Sequence, residues 1–220
     1  MSLHKVTNLH TSGEIKNMKD KAIGGSVLLL GCGKTRIPGA IGVDRTPIDG
    51  YVDVIHDLDI TPYPFENNSA SEIHLYHVLE HLHEPLKKLE ELHRILMPGG
   101  RLFIRVPHFS SMGAFSDITH IRPFGYISFD CLQKNDYQHF YTSVEFEVLI
   151  KEIKYFGLYP NNGIYEKYIH KNQCSLIVRP FIRFINFLIR LSPMLFERIW
   201  CYWVGGACEV VITMKKINGN

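Results

Sequence analysis

VLLLGCGKTRIPGAIGVD, Val27 to Asp44, contains the spellings of two different loops. GKT, Gly33 to Thr35, ends a phosphate-binding P-loop, which needs a glycine five residues earlier so that successive backbone N–H groups can curl around a phosphate. That position is Leu28, in the middle of an apolar run, so the loop cannot form and no nucleoside-triphosphate site is expected. GCG, Gly31 to Gly33, remains as a turn that closes a buried strand at residues 26–30, and Asp44 closes a second short strand, AIGVD, at 40–44.

Working outward, strands are predicted in YVDVIHDL (51–58), EIHLYHV (72–78) and RLFIRVP (101–107). Between the last two lies EPLKKLEELHRILMPGG. Pro85 suits a helical first turn, Leu86, Leu89, Leu92 and Leu96 recur at helical spacing, and Gly99 or Gly100 is the expected stop. A later helix is expected in TSVEFEVLIKEIKYFG, with Thr142 and Glu145 at capping-box spacing and Gly157 as its end. GIYEKYIH and CEVVITMKK are expected as the last two strands. Strands that are apolar on both faces and alternate with helices imply an α/β domain with a doubly wound, mostly parallel sheet.

In such sheets ligands bind beyond the carboxyl ends of the strands. The residues there are Gly31-Cys32-Gly33, Asp44, Asp57-Leu58, His77 and His108. Glycines after the first strand let a ligand approach the backbone, and an acid after the second can accept two hydrogen bonds from a ribose diol. An acid after the third could receive an exocyclic amine. The set describes a pocket for an adenosine-like ligand.

LLLGCG, IGVD, HDLDITPYPF, YHVLEHL and LHRILMPGGRLFIRVPH resemble, in order and spacing, the class I S-adenosylmethionine-dependent methyltransferases, in particular small domains of the ubiquinone/menaquinone-methylase type. The resemblance covers roughly residues 25–157. It implies a seven-stranded Rossmann-like sheet, S-adenosylmethionine as cofactor, and methyl transfer to a small-molecule or carrier-linked acceptor. By position, Gly31, Cys32 and Gly33 would form the loop against the methionine part of the cofactor, and Asp44 would bind the ribose. Asp57 would accept the adenine amino group, Leu58 would cover the ring or offer its backbone N–H, and His77 would border the methyl group.

The chain also departs from that pattern. Leu29 stands where the family carries an acid two positions before the first glycine, and Thr35 stands where it has a third glycine. Twelve residues separate Gly31 from Asp44, and twelve separate Asp44 from Asp57, too few for a full helix and strand in either interval. The early crossover helices are therefore expected to be shortened to turns. These departures motivate a second reading, a non-catalytic cofactor-binding or scaffolding protein. A nicotinamide-dependent dehydrogenase is disfavoured because no long helix follows the glycine turn to hold a pyrophosphate.

Catalytic candidates follow the fifth strand, where PHFSSMGAFSDITHIRPFGYISFD holds His108, Asp117 and His120. A carboxylate three residues from a histidine could orient it as a general base, and equally could cap a short helix. Glu80, His81 and His83 in EHLHEP lack HExxH spacing, and residues two apart point to different sides of a helix, so no metal site is expected.

Hydrophobic content of 45% and charged content of 21% suit a single globular domain over residues 1–220. The N-terminus shows no targeting segment, and five cysteines without a CxxC pair argue for a reducing, cytoplasmic setting. Net charge is +2, but residues 151–220 carry ten Lys/Arg against four Glu. Their aromatics are not organised as a stacking platform, so nucleic acid is not an expected partner. An insertion is expected over 171–206, before the last strand. Within it, at 176–191, Arg179, Arg183, Asn186 and Arg190 make a polar stripe on an apolar helix too short and charged to span a bilayer. Its uses are a lid, a homodimer contact, or a helix lying on a membrane surface.

Overall fold

The computed structural model describes residues 25–155, 179–203 and 206–217. Seven strands, β1 (Ser26–Leu30), β2 (Ile41–Asp44), β3 (Val54–Ile55), β4 (Ala70–Tyr76), β5 (Leu96–Pro107), β6 (Phe146–Lys154) and β7 (Glu209–Lys216), form one sheet in the order β3-β2-β1-β4-β5-β7-β6. The five strands from β3 to β5 are parallel, and β7 runs antiparallel to both of its neighbours. Among the described residues the longer helices are α1 (Pro85–Ile95), α2 (Met112–Ser116) and α3 (Arg179–Leu191), and short helical turns continue from Pro193 to Trp203. The α/β, mostly parallel, Rossmann-like architecture expected from the strand pattern is present.

β1 lies between β2 and β4 with Leu28 registered against Ile41 and Ile73. Leu28, Leu29 and Leu30 are each at most 2% exposed, which explains a run with no polar alternation. Burying such a side chain is worth about 1.5–3 kcal/mol, and one cluster joins Leu28, Leu30, Ile73, Leu75, Leu102, Ile104 and Ile212 across four strands.

The intervals 31–40 and 45–53 hold turns and no helix, as the short spacing required. Hydrogen bonds tie the first of them down instead. Arg36 Nη1 and Nη2 donate to Asp53 at 2.6 and 3.1 Å, Arg36 also reaches the Tyr51 carbonyl at 2.9 Å, and the Gly42 N–H donates to Asp53 at 2.7 Å. Leu29, where an acid was the family pattern, packs with Cys32 and Ala40 beneath this loop.

Two boundaries differ from expectation. α1 begins at Pro85 and buries Leu89, Leu92 and Ile95, but it stops at Ile95 rather than near Gly99. Leu96 pairs with Ala70 and starts β5, so sheet pairing takes the chain a turn before the glycines could end the helix. The segment with capping-box spacing at Thr142 is strand β6, not a helix. The free edge of β7 supplies hydrogen-bond partners from Phe146 to Lys154, and β-branched Val148, Ile150 and Ile153 suit a pleated surface better than a helix. Its predicted stop, Gly157, and the strand predicted at GIYEKYIH lie outside the described residues.

α3 buries Ile182, Ile185 and Ile189, and the last two share a cluster with Ile153 of β6. Asn186, expected on a polar stripe, turns to the body of the protein, where its Oδ1 accepts from the Tyr155 N–H at 2.9 Å. Arg183 and Arg190 face solvent beside the exposed Phe181, Phe184, Phe187 and Leu191. No helix among the described residues is long and apolar enough to cross a membrane.

His93, at the end of α1, packs edge-on against the buried Phe146 with ring centroids 5.1 Å apart. Burial first, and then the charge of Lys216, push its pKa down to about 4. The unfolded chain takes up this proton near pH 6.5, whereas the native state resists it until about pH 4. Stability from this site is therefore complete above about pH 6.5 and drains away as pH falls toward 4. Replacing His93 by leucine should flatten that part of the stability profile, measured as urea midpoints in steps across the window. Parallel profiles for the two proteins would contradict the assignment.

Candidate active site

The carboxyl ends of β1, β2, β3 and β4 open on a cavity of about 520 Å³ beside the switch in strand order between β1 and β4. Gly31, Asp44, Asp57, Leu58 and His77 all line it, together with Thr46, Asp59, Val78, His81 and Thr119. Five of the seven expected cofactor positions thus converge from four separate strand ends. Gly31 has φ of +62°, and a Cβ there would lie 2.4 Å from Val78 Cγ2, so only glycine keeps this wall open.

Asp44 is held by two backbone donors, the Gly33 N–H to Oδ2 at 2.9 Å and the Thr46 N–H to Oδ1 at 3.0 Å. Each oxygen retains acceptor capacity for a ligand. Gly33 therefore serves the site by fixing Asp44 rather than by lining the cavity. Cys32 is buried with its thiol toward the Tyr51 carbonyl at 3.6 Å. Burial, reinforced by Asp44 and Asp53, pushes that thiol up to about 11, which makes it unreactive. Asp57 accepts from the Asp59 N–H at 3.0 Å, and Tyr63 holds the Leu58 carbonyl at 2.8 Å, so the turn after β3 is braced on both sides.

His77 has φ of +56°, an uncommon conformation for a residue with a side chain. Its Nε2 faces Glu209 Oε1 at 2.9 Å and its Nδ1 faces Glu80 Oε1 at 3.4 Å. Burial alone would lower its pKa, but the two carboxylates outweigh burial and hold it near 9, so the ring is cationic at neutral pH. Glu209 in turn accepts from Arg105 Nε at 3.1 Å and Nη2 at 2.5 Å.

The catalytic candidates are dispersed. His108 is fully buried outside the cavity lining, with Nδ1 2.7 Å from Ser110 Oγ and Nε2 3.0 Å from Glu197 Oε1. Both nitrogens are engaged in tying the loop after β5 to the segment after α3, so the structure gives His108 a bracing place and not that of a base. Asp117 accepts from the Thr119 N–H at 2.9 Å and from its hydroxyl at 2.6 Å, and lies 3.8 Å from His120 Nε2, too far for a catalytic pair. His120 instead stands 4.6 Å, centroid to centroid, from the cavity-lining His81. His83, considered with Glu80 and His81 in sequence, turns away to Asp59.

Arg105, Thr119 and Glu209 were not foreseen, and Glu80 was weighed only together with His81 and His83. Their signal in sequence is faint: an acid directly after the apolar Val78 and Leu79, and another opening the apolar run EVVITM.

A glycine turn, an acid after the second strand and a cavity at the switch point define a Rossmann-like fold with an open site at the position where such sheets take ligands. Residues 40–104 match the family model described as a methyltransferase domain. That match covers 65 of the 220 residues, so the class I S-adenosylmethionine-dependent methyltransferases, and the narrower ubiquinone/menaquinone-methylase grouping, are what this chain resembles. A similar solved structure is a chain of the complex between the Haloferax volcanii Trm112 methyltransferase activator and the putative methyltransferase, with 14% identity, 93% of this chain and 89% of that chain covered, and a TM-score of 0.50. At that identity the likeness concerns the fold. A SAM-dependent methyltransferase from Archaeoglobus fulgidus aligns with 17% identity over 93% of this chain and 92% of that one, at a TM-score of 0.46. One from Mesorhizobium loti aligns with 14% identity over 93% and 98%, at 0.49. No curated protein matches the sequence.

Proposed function

We propose that the protein is an S-adenosylmethionine-dependent methyltransferase acting on a small-molecule or carrier-linked acceptor. The observation that carries this is the convergence of Gly31, Asp44, Asp57 and His77 on one cavity from four strand ends. The residues fit the cofactor: the wall at Gly31 is bare, and the Asp44 carboxylate is pre-oriented by backbone donors while keeping lone pairs for a ribose diol. In this reading Asp57 meets the adenine amino group, the Leu58 backbone meets the ring edge, and His77 borders the methionine end. When bound, S-adenosylmethionine supplies a methyl group already activated as a sulfonium, so the chain has to align an acceptor and exclude water. His81, Thr119 and Ile121 form the side of the cavity where an acceptor enters.

Calorimetric titration with S-adenosylhomocysteine tests the cofactor reading: one equivalent should bind, and binding should weaken strongly in Asp44→Ala. Absence of heat with either S-adenosylmethionine or S-adenosylhomocysteine sinks it. Binding without turnover across a panel of acceptors favours the non-catalytic alternative.

The outward face of α3 supports a second element of this reading, peripheral contact with an anionic membrane that presents a carrier-linked acceptor. Phe181, Phe184, Phe187 and Leu191 are each more than half exposed, and the exposed Arg183 and Arg190 lie on the same helix. The acid of this segment, Glu197, points inward to His108. Exposed aromatics flanked by arginines match an interfacial helix. The protein should sediment with phosphatidylserine vesicles at low salt, and Arg183→Glu with Arg190→Glu should cut binding by at least about tenfold, at about 1 kcal/mol per basic residue. Wild type remaining in the supernatant would exclude it.

A further inference from the structure

Glu80 is 1% exposed, and neither of its carboxylate oxygens makes a hydrogen bond of adequate geometry. A buried carboxylate left in that state is costly unless a cation meets it. The cationic His77 ring, with Nδ1 at 3.4 Å from Oε1, offsets part of that cost, and His120 Nε2 faces the same oxygen at 3.9 Å. Glu80, His81 and His120 each present one ligand atom within 4.8 Å of the other two.

The two histidines are also prepared in their outer contacts. Thr119 donates its hydroxyl proton to Asp117 at 2.6 Å, so its oxygen accepts from His81 Nδ1 at 2.9 Å. That leaves His81 Nε2 with a lone pair. His120 Nδ1 faces the Ala114 carbonyl at 3.3 Å, a contact only an N–H can make, which leaves the lone pair on the Nε2 that faces Glu80. An outer carboxylate or carbonyl fixing the imidazole tautomer is the usual second layer of a metal site.

We propose that Glu80, His81 and His120 form a binding site for one divalent first-row transition-metal ion at the wall of the cavity, where it holds an oxygen of the acceptor. Ligand atoms about 2.1 Å from an ion stand roughly 3–4 Å apart. The His120–Glu80 distance already lies in that range, and His81, half-buried, closes the remainder by a side-chain rotation. Two imidazoles and one carboxylate leave further coordination positions. His81 and Thr119 line the cavity, so those positions are reachable by a hydroxyl or diol. Metal coordination lowers the pKa of such a hydroxyl, which matters because the expected bases His108 and Asp117 are committed elsewhere. The substrate class thereby narrows to oxygen-bearing acceptors, and this narrowing rests on the methyltransferase reading.

The experiment uses the full chain, stripped with a chelator and titrated with Co²⁺. One equivalent should bind with visible ligand-field bands, and Zn²⁺ should displace it. Glu80→Gln or His120→Asn should weaken binding at least about 100-fold and Thr119→Val about 10–100-fold, whereas His83→Ala should leave it unchanged. If the buried variants fail to fold, His81→Ala, at a half-buried position, should give the same loss. No binding by wild type, or variants within about twofold of it, overturns the site and leaves Glu80 as a structural acid beside His77. S-adenosylhomocysteine titrated before and after stripping separates the two readings. Its binding without Co²⁺ binding overturns the metal alone, and Co²⁺ binding without it overturns the cofactor reading while the ligand set stands.

Discussion

Replacing Glu209 by alanine should destabilise the protein by about 3–5 kcal/mol, the usual cost of removing one partner from a buried ion pair. Glu209 is 4% exposed and Arg105 7%. The carboxylate accepts from Arg105 Nε and Nη2 through one oxygen and from His77 Nε2 through the other. It sits at the first position of β7, registered between Pro107 of β5 and Lys154 of β6. Its loss leaves a guanidinium and an imidazole deprived of their shared anion inside the sheet. The double variant Arg105→Met, Glu209→Leu should recover most of the stability, because an apolar pair of similar volume removes the charges along with their attraction. Urea midpoints of the three proteins test this. A loss below about 1 kcal/mol for Glu209→Ala, or a double variant no better than the single, would show that solvent relieves the charges.

The second large effect is on cofactor affinity. Asp44→Ala should weaken S-adenosylhomocysteine binding by about 100-fold or more, since two hydrogen bonds to a charged acceptor contribute about 1.5–3 kcal/mol each. Part of the loss comes through the loop, because the Gly33 and Thr46 N–H groups lose the acceptor that fixes them. Asp44→Asn separates these contributions: the amide keeps one acceptor oxygen for the loop but loses a lone-pair site for the ribose diol, so its affinity should fall between the other two. Calorimetry on all three proteins decides it. Unchanged affinity in Asp44→Ala would place the nucleoside elsewhere in the cavity.

The parts of the site that follow strand ends were legible in the chain. SVLLL ending in glycine, IGVD ending in aspartate and HDL within a polar turn are local patterns whose positions in a parallel sheet follow from topology. The short intervals around Asp44 also foretold the missing crossover helices. Legibility ended where partners are remote. His77 and Glu209 are 132 residues apart, His108 and Glu197 are 89 apart, and nothing in either local sequence announces the pairing. The same limit misassigned residues 146–154: a capping-box spacing is a local preference, and the unpaired edge of β7 overrode it.

By itself, then, the sequence determined the strands from β1 to β5 and β7 and the residues that close the first four, because strand periodicity and turn chemistry act over a few neighbouring residues. Only the tertiary structure decided that His108 is a brace, that Asp44 is aimed by Gly33, and that Glu80 meets His81 and His120. Those outcomes depend on packing and desolvation between distant segments, where burial sets the cost of a charge and geometry selects its partner.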